Sequence, residues 1–145
     1  MIRRILVVCV GNICRSPMAE GLFRQALPAV QISSAGVAAL VGHGADPIAV
    51  QIMAGAGVDI TSHRARALTD AIARDADLIL VMDEAQRQQI SAQYPYTRGK
   101  VFRLAEATKQ DIPDPYRQDP QVFRAVFTLI ENGVKEWVKR INSIG

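Results

Sequence analysis

Two short, predominantly apolar runs limit the fold more than any other feature of this sequence. Residues 5–9 read ILVVC and residues 76–82 read ADLILVM, and neither run alternates with polar residues. Such runs are typical of strands that are covered on both faces, as in a parallel sheet. Weaker strand patterns at residues 30–34 and 101–104 bring the expected number of strands to four.

Helix signals lie between and after these strands. The final segment carries apolar side chains at spacings of three and four, and we expect its Trp137 to lie in the core. Each helical segment starts with a residue type that commonly caps helices: Ser16, Asp46, Thr69, Asp83 and Asp119. Three of these residues, Ser16, Asp46 and Asp119, are followed by proline, which is common at the first helical position.

Strands that alternate with helices indicate an α/β fold. Right-handed crossovers between parallel strands place helices on both faces of the sheet, so we predict a three-layer sandwich around a four-stranded parallel sheet. A chain of 145 residues is the usual size of one domain. We therefore expect a single domain over residues 1–145.

Composition excludes several classes of protein. The net charge is +3, but the 17 Lys and Arg residues are spread along the chain rather than clustered as in nucleic-acid binders. The first apolar run is too short for a secretory signal, and no run reaches the roughly 20 apolar residues of a membrane span. We expect a cytoplasmic protein with no membrane insertion. Two cysteines and two histidines form neither a disulfide framework nor a four-ligand zinc pattern, so no metal or cofactor is expected.

The segments that follow parallel strands meet at the carboxyl edge of the sheet, where ligands bind. The first of them, residues 9–17, reads CVGNICRSP. Backbone N–H groups of this turn and of the next helix can surround a phosphate dianion, and Arg15 can hold two of its oxygens. The same positive field favours a Cys9 thiolate that attacks phosphorus, and Ser16 can hydrogen-bond the sulfur. A buried strand cysteine followed by an arginine at a helix start is the plain structural alternative.

The segment that follows the fourth strand offers an acid. A thiolate phosphatase needs a carboxylic acid to protonate the leaving oxygen, and Asp114 stands between Pro113 and Pro115. The two prolines stiffen the backbone around it. Taken alone, Asp-Pro-Tyr is a common turn signal.

Five segments, in order, resemble one known family. VCVGNICRSPMAE, SSAG, SHRARAL, DLILVMDE and IPDPY are similar to motifs of the low-molecular-weight protein tyrosine phosphatases, over essentially the whole chain. The stretch AGVAALVGHGADP is more similar to the bacterial branch, which acts on autophosphorylating tyrosine kinases of capsule and exopolysaccharide export. The resemblance implies hydrolysis of phosphotyrosine through a phosphocysteine intermediate, with inorganic phosphate as product. It implies a phosphotyrosine-containing protein, such as a membrane-bound autokinase, as partner.

The same resemblance assigns roles to single residues. Cys9 is the expected nucleophile, Arg15 the phosphate clamp and Asp114 the general acid that later activates water. Tyr116 matches an aromatic at the pocket mouth, whereas Leu40 replaces a bulky aromatic of other branches, which bears on partner preference. The residues expected to bind substrate are Val10, Gly11, Asn12, Ile13, Cys14, Ser16, Leu40 and Tyr116.

Some of these residues have a second interpretation. By resemblance, Cys14 can trap oxidised Cys9 as a reversible disulfide, or it is a small apolar residue beneath the loop. His63 is either a brace of the loop or a core histidine satisfied by backbone groups. Asp83 also matches a family acidic residue, and we interpret it first as an N-cap. The polar network that braces the loop in the family matches Asn12, Ser16, Ser34 and His63.

Three other functions fit part of the pattern. An arsenate reductase on this scaffold needs further cysteines, and none follows Cys14. A phosphocarrier also forms phosphocysteine but needs neither Arg15 nor Asp114. A non-catalytic phosphotyrosine-binding module would not need the full set of Cys9, Arg15 and Asp114. Hydrolytic turnover separates a phosphatase from all three.

Overall fold

A computed structural model describes residues 1–144. The four strands are β1 (Arg4–Cys9), β2 (Gln31–Gly36), β3 (Leu78–Val81) and β4 (Val101–Arg103). The α-helices are α1 (Arg15–Ala26), α2 (Pro47–Gly55), α3 (Asp70–Asp75), α4 (Glu84–Gln93) and α5 (Pro120–Ile144). Two 3₁₀ turns, Pro95–Thr97 and Glu106–Thr108, were not expected, because three residues are too few to show a helical period.

All strand pairs of the sheet are parallel, in the order β2-β1-β3-β4. In the central strand β1, Val7 lies opposite Ser34 of β2 on one side and Leu80 of β3 on the other. Apolar side chains are buried on both faces: Val7 packs in the core that contains Phe23 and Phe123, and its neighbours in β1 point to the opposite core. The predicted three-layer α/β fold with a four-stranded parallel sheet is confirmed.

Most helix starts follow the predicted caps. The carboxylate or hydroxyl oxygens of four capping residues accept hydrogen bonds from backbone N–H groups of the first helical turn. These residues are Asp46, Thr69, Asp83 and Asp119.

Ser16 does not cap a helix, so that prediction is wrong. Helix α1 begins at Arg15, Cys14 occupies the N-cap position without a side-chain cap, and Pro17 is the third helical residue. The Ser16 hydroxyl is engaged elsewhere, 2.9 Å from Cys9 Sγ. Pro17 is tolerated because the first N–H groups of a helix have no intrahelical acceptor.

The longest helix, α5, packs an apolar face against the sheet. Trp137 is 7% exposed and donates from Nε1 to the carbonyl of Arg103 at 3.1 Å, which confirms its predicted place in the core. Its ring lies 5.6 Å from that of Phe102, measured between centroids. Within residues 1–144, no helix combines the length and the apolar character needed to cross a membrane.

Candidate active site

The turn between β1 and α1 directs its carbonyl groups away from its centre. Loops that follow β2, together with His63, supply a hydrogen-bond donor to each carbonyl from residue 9 to residue 13. The pairs are Val37 N to Cys9 O (3.1 Å), Ala38 N to Val10 O (2.9 Å), Leu40 N to Gly11 O (3.0 Å), His63 Nε2 to Asn12 O (2.6 Å) and Asp46 N to Ile13 O (2.8 Å).

The N–H groups of the same turn remain free for a ligand. Within residues 1–144, no backbone N–H of residues 10–14 donates to a protein acceptor. Asn12 has a left-handed backbone with φ of 58°, a conformation that asparagine tolerates better than most residues. The turn is thus a cradle of amide hydrogens at the positive end of α1, which suits an oxyanion.

Cys9 lies at the base of this cradle. It is the last residue of β1 and is 2% exposed, and its Sγ lies 2.9 Å from Ser16 Oγ. Ser16 Oγ accepts a hydrogen bond from Asn12 Nδ2 at 2.8 Å, so the hydroxyl proton is free to point at the sulfur. This hydrogen bond stabilises negative charge on Sγ.

A buried polar chain holds the Asn12 amide in one orientation. The backbone N–H of Arg66 donates to Oδ1 at 2.9 Å, which identifies that end as the oxygen. Nδ2 therefore donates to Ser16 and, at 2.9 Å, to Ser34, which in turn donates to Glu20. Sequence reasoning missed Glu20 and Arg66. The only local signal was an acidic residue one helical turn after Ser16 in α1.

Arg15 is a buried guanidinium with unused donor capacity. It is 2% exposed; Nη1 donates to the carbonyl of Ile112 at 2.7 Å, and Nη2 lies 3.6 Å from Asp114 Oδ2. Its Nε is buried and has no hydrogen-bond acceptor among residues 1–144. A buried donor of this kind is costly unless a ligand supplies the acceptor, so an anion fits here.

Asp114 reaches the cradle from far along the chain. Its side chain is 45% exposed, and Oδ1 accepts a hydrogen bond from Tyr116 N at 3.1 Å. Ile112, two residues before Asp114, is fully buried, and its backbone N–H donates to Met82 O at 2.8 Å. The loop is therefore held to the carboxyl end of β3.

One cavity of about 130 Å³ brings most of the expected residues together. Ala38 was not expected, because alanine carries no chemical signal. Four expected residues, Asn12, Ser16, Ser34 and His63, lie outside the lining and brace it from behind. The lining consists of Cys9, Val10, Gly11, Ile13, Cys14, Arg15, Ala38, Leu40, Asp114 and Tyr116.

Cys14 differs from Cys9 in its environment. Burial raises the pKa of the Cys14 thiol far above its ordinary value, and the negative charges of Asp46 and Cys9 act in the same direction. Both cysteines are free thiols. Cys14 is therefore a protonated thiol at neutral pH and a poor nucleophile.

Comparison with known proteins identifies one family of phosphatases. A family model for low molecular weight phosphotyrosine protein phosphatase matches residues 4–144. The probable low molecular weight protein-tyrosine-phosphatase EpsP of Ralstonia nicotianae (strain ATCC BAA-1114 / GMI1000) is 53% identical over 145 residues, which are 100% of both chains. The crystal structure of the tyrosine phosphatase Wzb from Escherichia coli K30 in complex with sulphate has a TM-score of 0.93 and 42% identity, covering 97% of this chain and 99% of that one. A YwlE arginine phosphatase from Geobacillus stearothermophilus has a TM-score of 0.91 and 32% identity, with coverage of 97% and 94%.

Proposed function

The chain belongs to the low molecular weight phosphotyrosine protein phosphatase family and is a protein tyrosine phosphatase, and we propose the following catalytic roles for three of its residues. Cys9 is the nucleophile, Arg15 the phosphate clamp and Asp114 the general acid and base. One observation carries the assignment: one small cavity is lined by residues that supply a sulfur, a carboxyl group, and amide hydrogens and a guanidinium Nε that have no acceptor within residues 1–144.

In the first step, the Cys9 thiolate attacks phosphorus in line with the tyrosyl oxygen. The S–P bond forms as the P–O bond breaks, and Asp114 gives its proton to the departing oxygen. Amide hydrogens of residues 10–14 and the Arg15 guanidinium stabilise the charge on the three equatorial oxygens. The products of this step are the tyrosine hydroxyl, phosphocysteine and an Asp114 carboxylate.

In the second step, water releases the phosphate. Asp114 takes a proton from the water, whose oxygen attacks phosphorus as the S–P bond breaks. Cys9 leaves as a thiolate that accepts the hydrogen bond of Ser16, which lies 2.9 Å away. Inorganic phosphate departs, and Asp114 is again protonated for the next cycle.

The apolar wall of the cavity supports an aromatic ester as substrate. Ile13, Leu40 and Tyr116 flank the route to Cys9, and they can pack on the face of a tyrosyl ring. The short side chain of phosphoserine would not reach the sulfur past them. The similar YwlE protein is an arginine phosphatase, but the apolar walls here favour an aryl ring over a guanidinium.

A protein is the substrate that best fits the rim. Val10 and Tyr116 line the cavity and are 37% and 38% exposed, and they offer apolar contacts to residues that flank a phosphotyrosine. Similarity to the bacterial branch supports an autophosphorylated tyrosine kinase of polysaccharide export as the partner. We place this activity in the cytoplasm and assign it to one domain, residues 1–145.

Variants of the two reacting groups test the proposal. Cys9→Ser should abolish hydrolysis of a phosphotyrosine peptide and of p-nitrophenyl phosphate while still binding the peptide in calorimetry. Phosphocysteine should be recovered from acid-quenched wild-type enzyme, and a chelator should leave the rate unchanged. Phosphoserine and phosphoarginine should be poor substrates. Substantial turnover by Cys9→Ser would overturn the mechanism, and preference for phosphoarginine would overturn the substrate.

A further inference from the structure

We propose that Asp111 is a positioning residue for Asp114. Its carboxylate ties the start of the acid-bearing segment to the ends of two other elements, and so sets where the general acid enters the cavity. The inference rests on the proposed role of Asp114 as general acid and names a residue on which that role depends.

One oxygen of Asp111 joins two neighbouring elements at the carboxyl edge of the sheet. Oδ1 accepts a hydrogen bond from the backbone N–H of Glu84, the first residue of α4, at 3.1 Å. The same oxygen lies 3.3 Å from Nη1 of Arg103, the last residue of β4. Asp111 thus bridges the N-terminus of α4 and the end of the edge strand.

Arg103 is a rigid partner for this contact. Its side chain is 16% exposed, and its backbone carbonyl accepts the hydrogen bond of the buried Trp137. Glu106 Oε1 forms a looser ion pair with the same guanidinium, 3.8 Å from Nε, and within residues 1–144 that Nε has no hydrogen-bond acceptor. A freely moving surface arginine would not fix a loop, whereas Arg103 is mostly buried, its backbone is held by Trp137, and its guanidinium lies between two carboxylates.

Ile112, the next residue, is also anchored, and it fixes the course of the backbone between Asp111 and Asp114. The Ile112 side chain is fully buried, its N–H donates to Met82 O at 2.8 Å, and its carbonyl accepts from Arg15 at 2.7 Å. Pro113 then fixes one backbone dihedral before Asp114. Anchors at two consecutive residues define both the place and the direction of the chain that leads to the carboxyl group.

The segment beyond these anchors is held by the packing of the buried Pro115 and by few polar contacts. Within residues 1–144, the hydrogen bonds of residues 113–118 are internal, from Tyr116 N to Asp114 and from Gln118 N to Pro115 O. Among the described residues, the ion pair between Asp114 and Arg15 is the remaining polar link of this segment to the rest of the protein. The position of Asp114 therefore depends on the contacts of residues 111 and 112 where the segment begins.

Because the Asp111 side chain is exposed, its effect on the position of Asp114 can be measured apart from any effect on the stability of the fold. Its side chain is 57% exposed, and ion pairs with such exposure contribute little to the free energy of folding. Proton transfer, in contrast, is sensitive to a displacement of the acid by a fraction of an ångström. Loss of the Asp111 carboxylate should therefore affect catalysis while leaving the fold intact.

The test compares two substrates that differ in leaving group. Phenyl phosphate releases a poor leaving group, like tyrosine, and needs the acid, whereas p-nitrophenyl phosphate releases a good one and needs it less. For Asp111→Ala, kcat/KM for phenyl phosphate should fall about tenfold, while that for p-nitrophenyl phosphate falls less than about twofold. Asp111→Asn, which keeps an oxygen for the Glu84 N–H, should show a smaller loss of the same kind.

Asp70→Ala is the matched control. Asp70 is 55% exposed and pairs with Arg74, but it makes no hydrogen bond to residues 105–118. Its substitution should leave both rates unchanged. Equal losses for both substrates in Asp111→Ala, or no loss, would overturn the inference if Asp114→Ala is selective for phenyl phosphate. If Asp114→Ala is itself unselective, the general acid was wrongly assigned and the role of Asp111 falls with it.

Discussion

Arg15 Nη1 donates a hydrogen bond to the carbonyl of Ile112 at 2.7 Å, although 97 positions separate the two residues. The group proposed to clamp phosphate therefore also holds the segment that carries the proposed acid. A change at Arg15 should disturb both functions together.

Arg15→Lys should lower kcat/KM for p-nitrophenyl phosphate by at least about 100-fold, although the positive charge is kept. Lysine has no planar fork for two phosphate oxygens and cannot also reach the Ile112 carbonyl. Steady-state kinetics measure the effect. An activity within a fewfold of wild type would mean that charge alone is sufficient.

Ser16→Ala should slow the second step more than the first. The hydroxyl lies 2.9 Å from Cys9 Sγ and stabilises the thiolate as it leaves phosphocysteine. A hydrogen bond to a charged group is worth about 1.5–3 kcal/mol, so kcat should fall about 10- to 100-fold. Stopped-flow measurement should show a larger burst of p-nitrophenolate. Ser33 is next to Ser34 in β2, and its side chain points to the opposite face of the sheet. Ser33→Ala should therefore behave like wild type.

Asn12→Gly and Asn12→Ala should separate backbone strain from lost hydrogen bonds. Both variants lose the contacts to Ser16 and Ser34, and both should lose activity. Only alanine is strained at φ of 58°, so its free energy of unfolding should be lower than that of the glycine variant by about 1 kcal/mol. Equal values from urea unfolding would contradict the strain.

Gly36→Ala should destabilise the protein and weaken catalysis. A Cβ at this position would lie 2.5 Å from the Val10 carbonyl and 3.0 Å from Ala39 Cβ, so the first residue of the cradle must shift. Overpacking of this kind costs about 1–3 kcal/mol. Gly55 is the last residue of α2, and beyond the adjacent backbone of its own helix no atom of residues 1–144 lies within 4 Å of the added Cβ, so Gly55→Ala should be neutral or stabilising by up to about 1 kcal/mol. Similar melting temperatures for the two variants would contradict the clash.

Cys14 should make stability fall at high pH. Burial raises the pKa of the Cys14 thiol, so the folded protein keeps a proton that the unfolded chain loses above about pH 8.5. The contribution is complete below that pH and decreases by about 1.4 kcal/mol per pH unit well above it. Urea unfolding of the reduced protein from pH 7.5 to pH 10 should show this slope, and Cys14→Ala should lack it. Parallel curves for the two proteins would show that Cys14 does not retain the proton.

Local patterns were sufficient for much of this molecule. The sequence by itself determined the buried strands, the caps at Asp46, Thr69 and Asp83, and the strand-turn-helix that contains Cys9 and Arg15. Each depends on residues that are neighbours in the chain, so that hydrophobic run length and capping chemistry reveal it directly. Parallel topology then predicted that Asp114 would lie near the same edge.

Tertiary structure alone decided how these pieces are held together. The Ser16 side chain could cap a helix or bond Cys9, and only the approach of Sγ to 2.9 Å settled the choice. The contacts of Glu20 and Asp111 join elements that are distant in the chain, so no local period marks them. The carbonyl of Ile112 is a backbone group that every residue type possesses, and its partner Arg15 cannot be identified from residue identity. Packing fixes these contacts because it alone brings distant groups within hydrogen-bond distance.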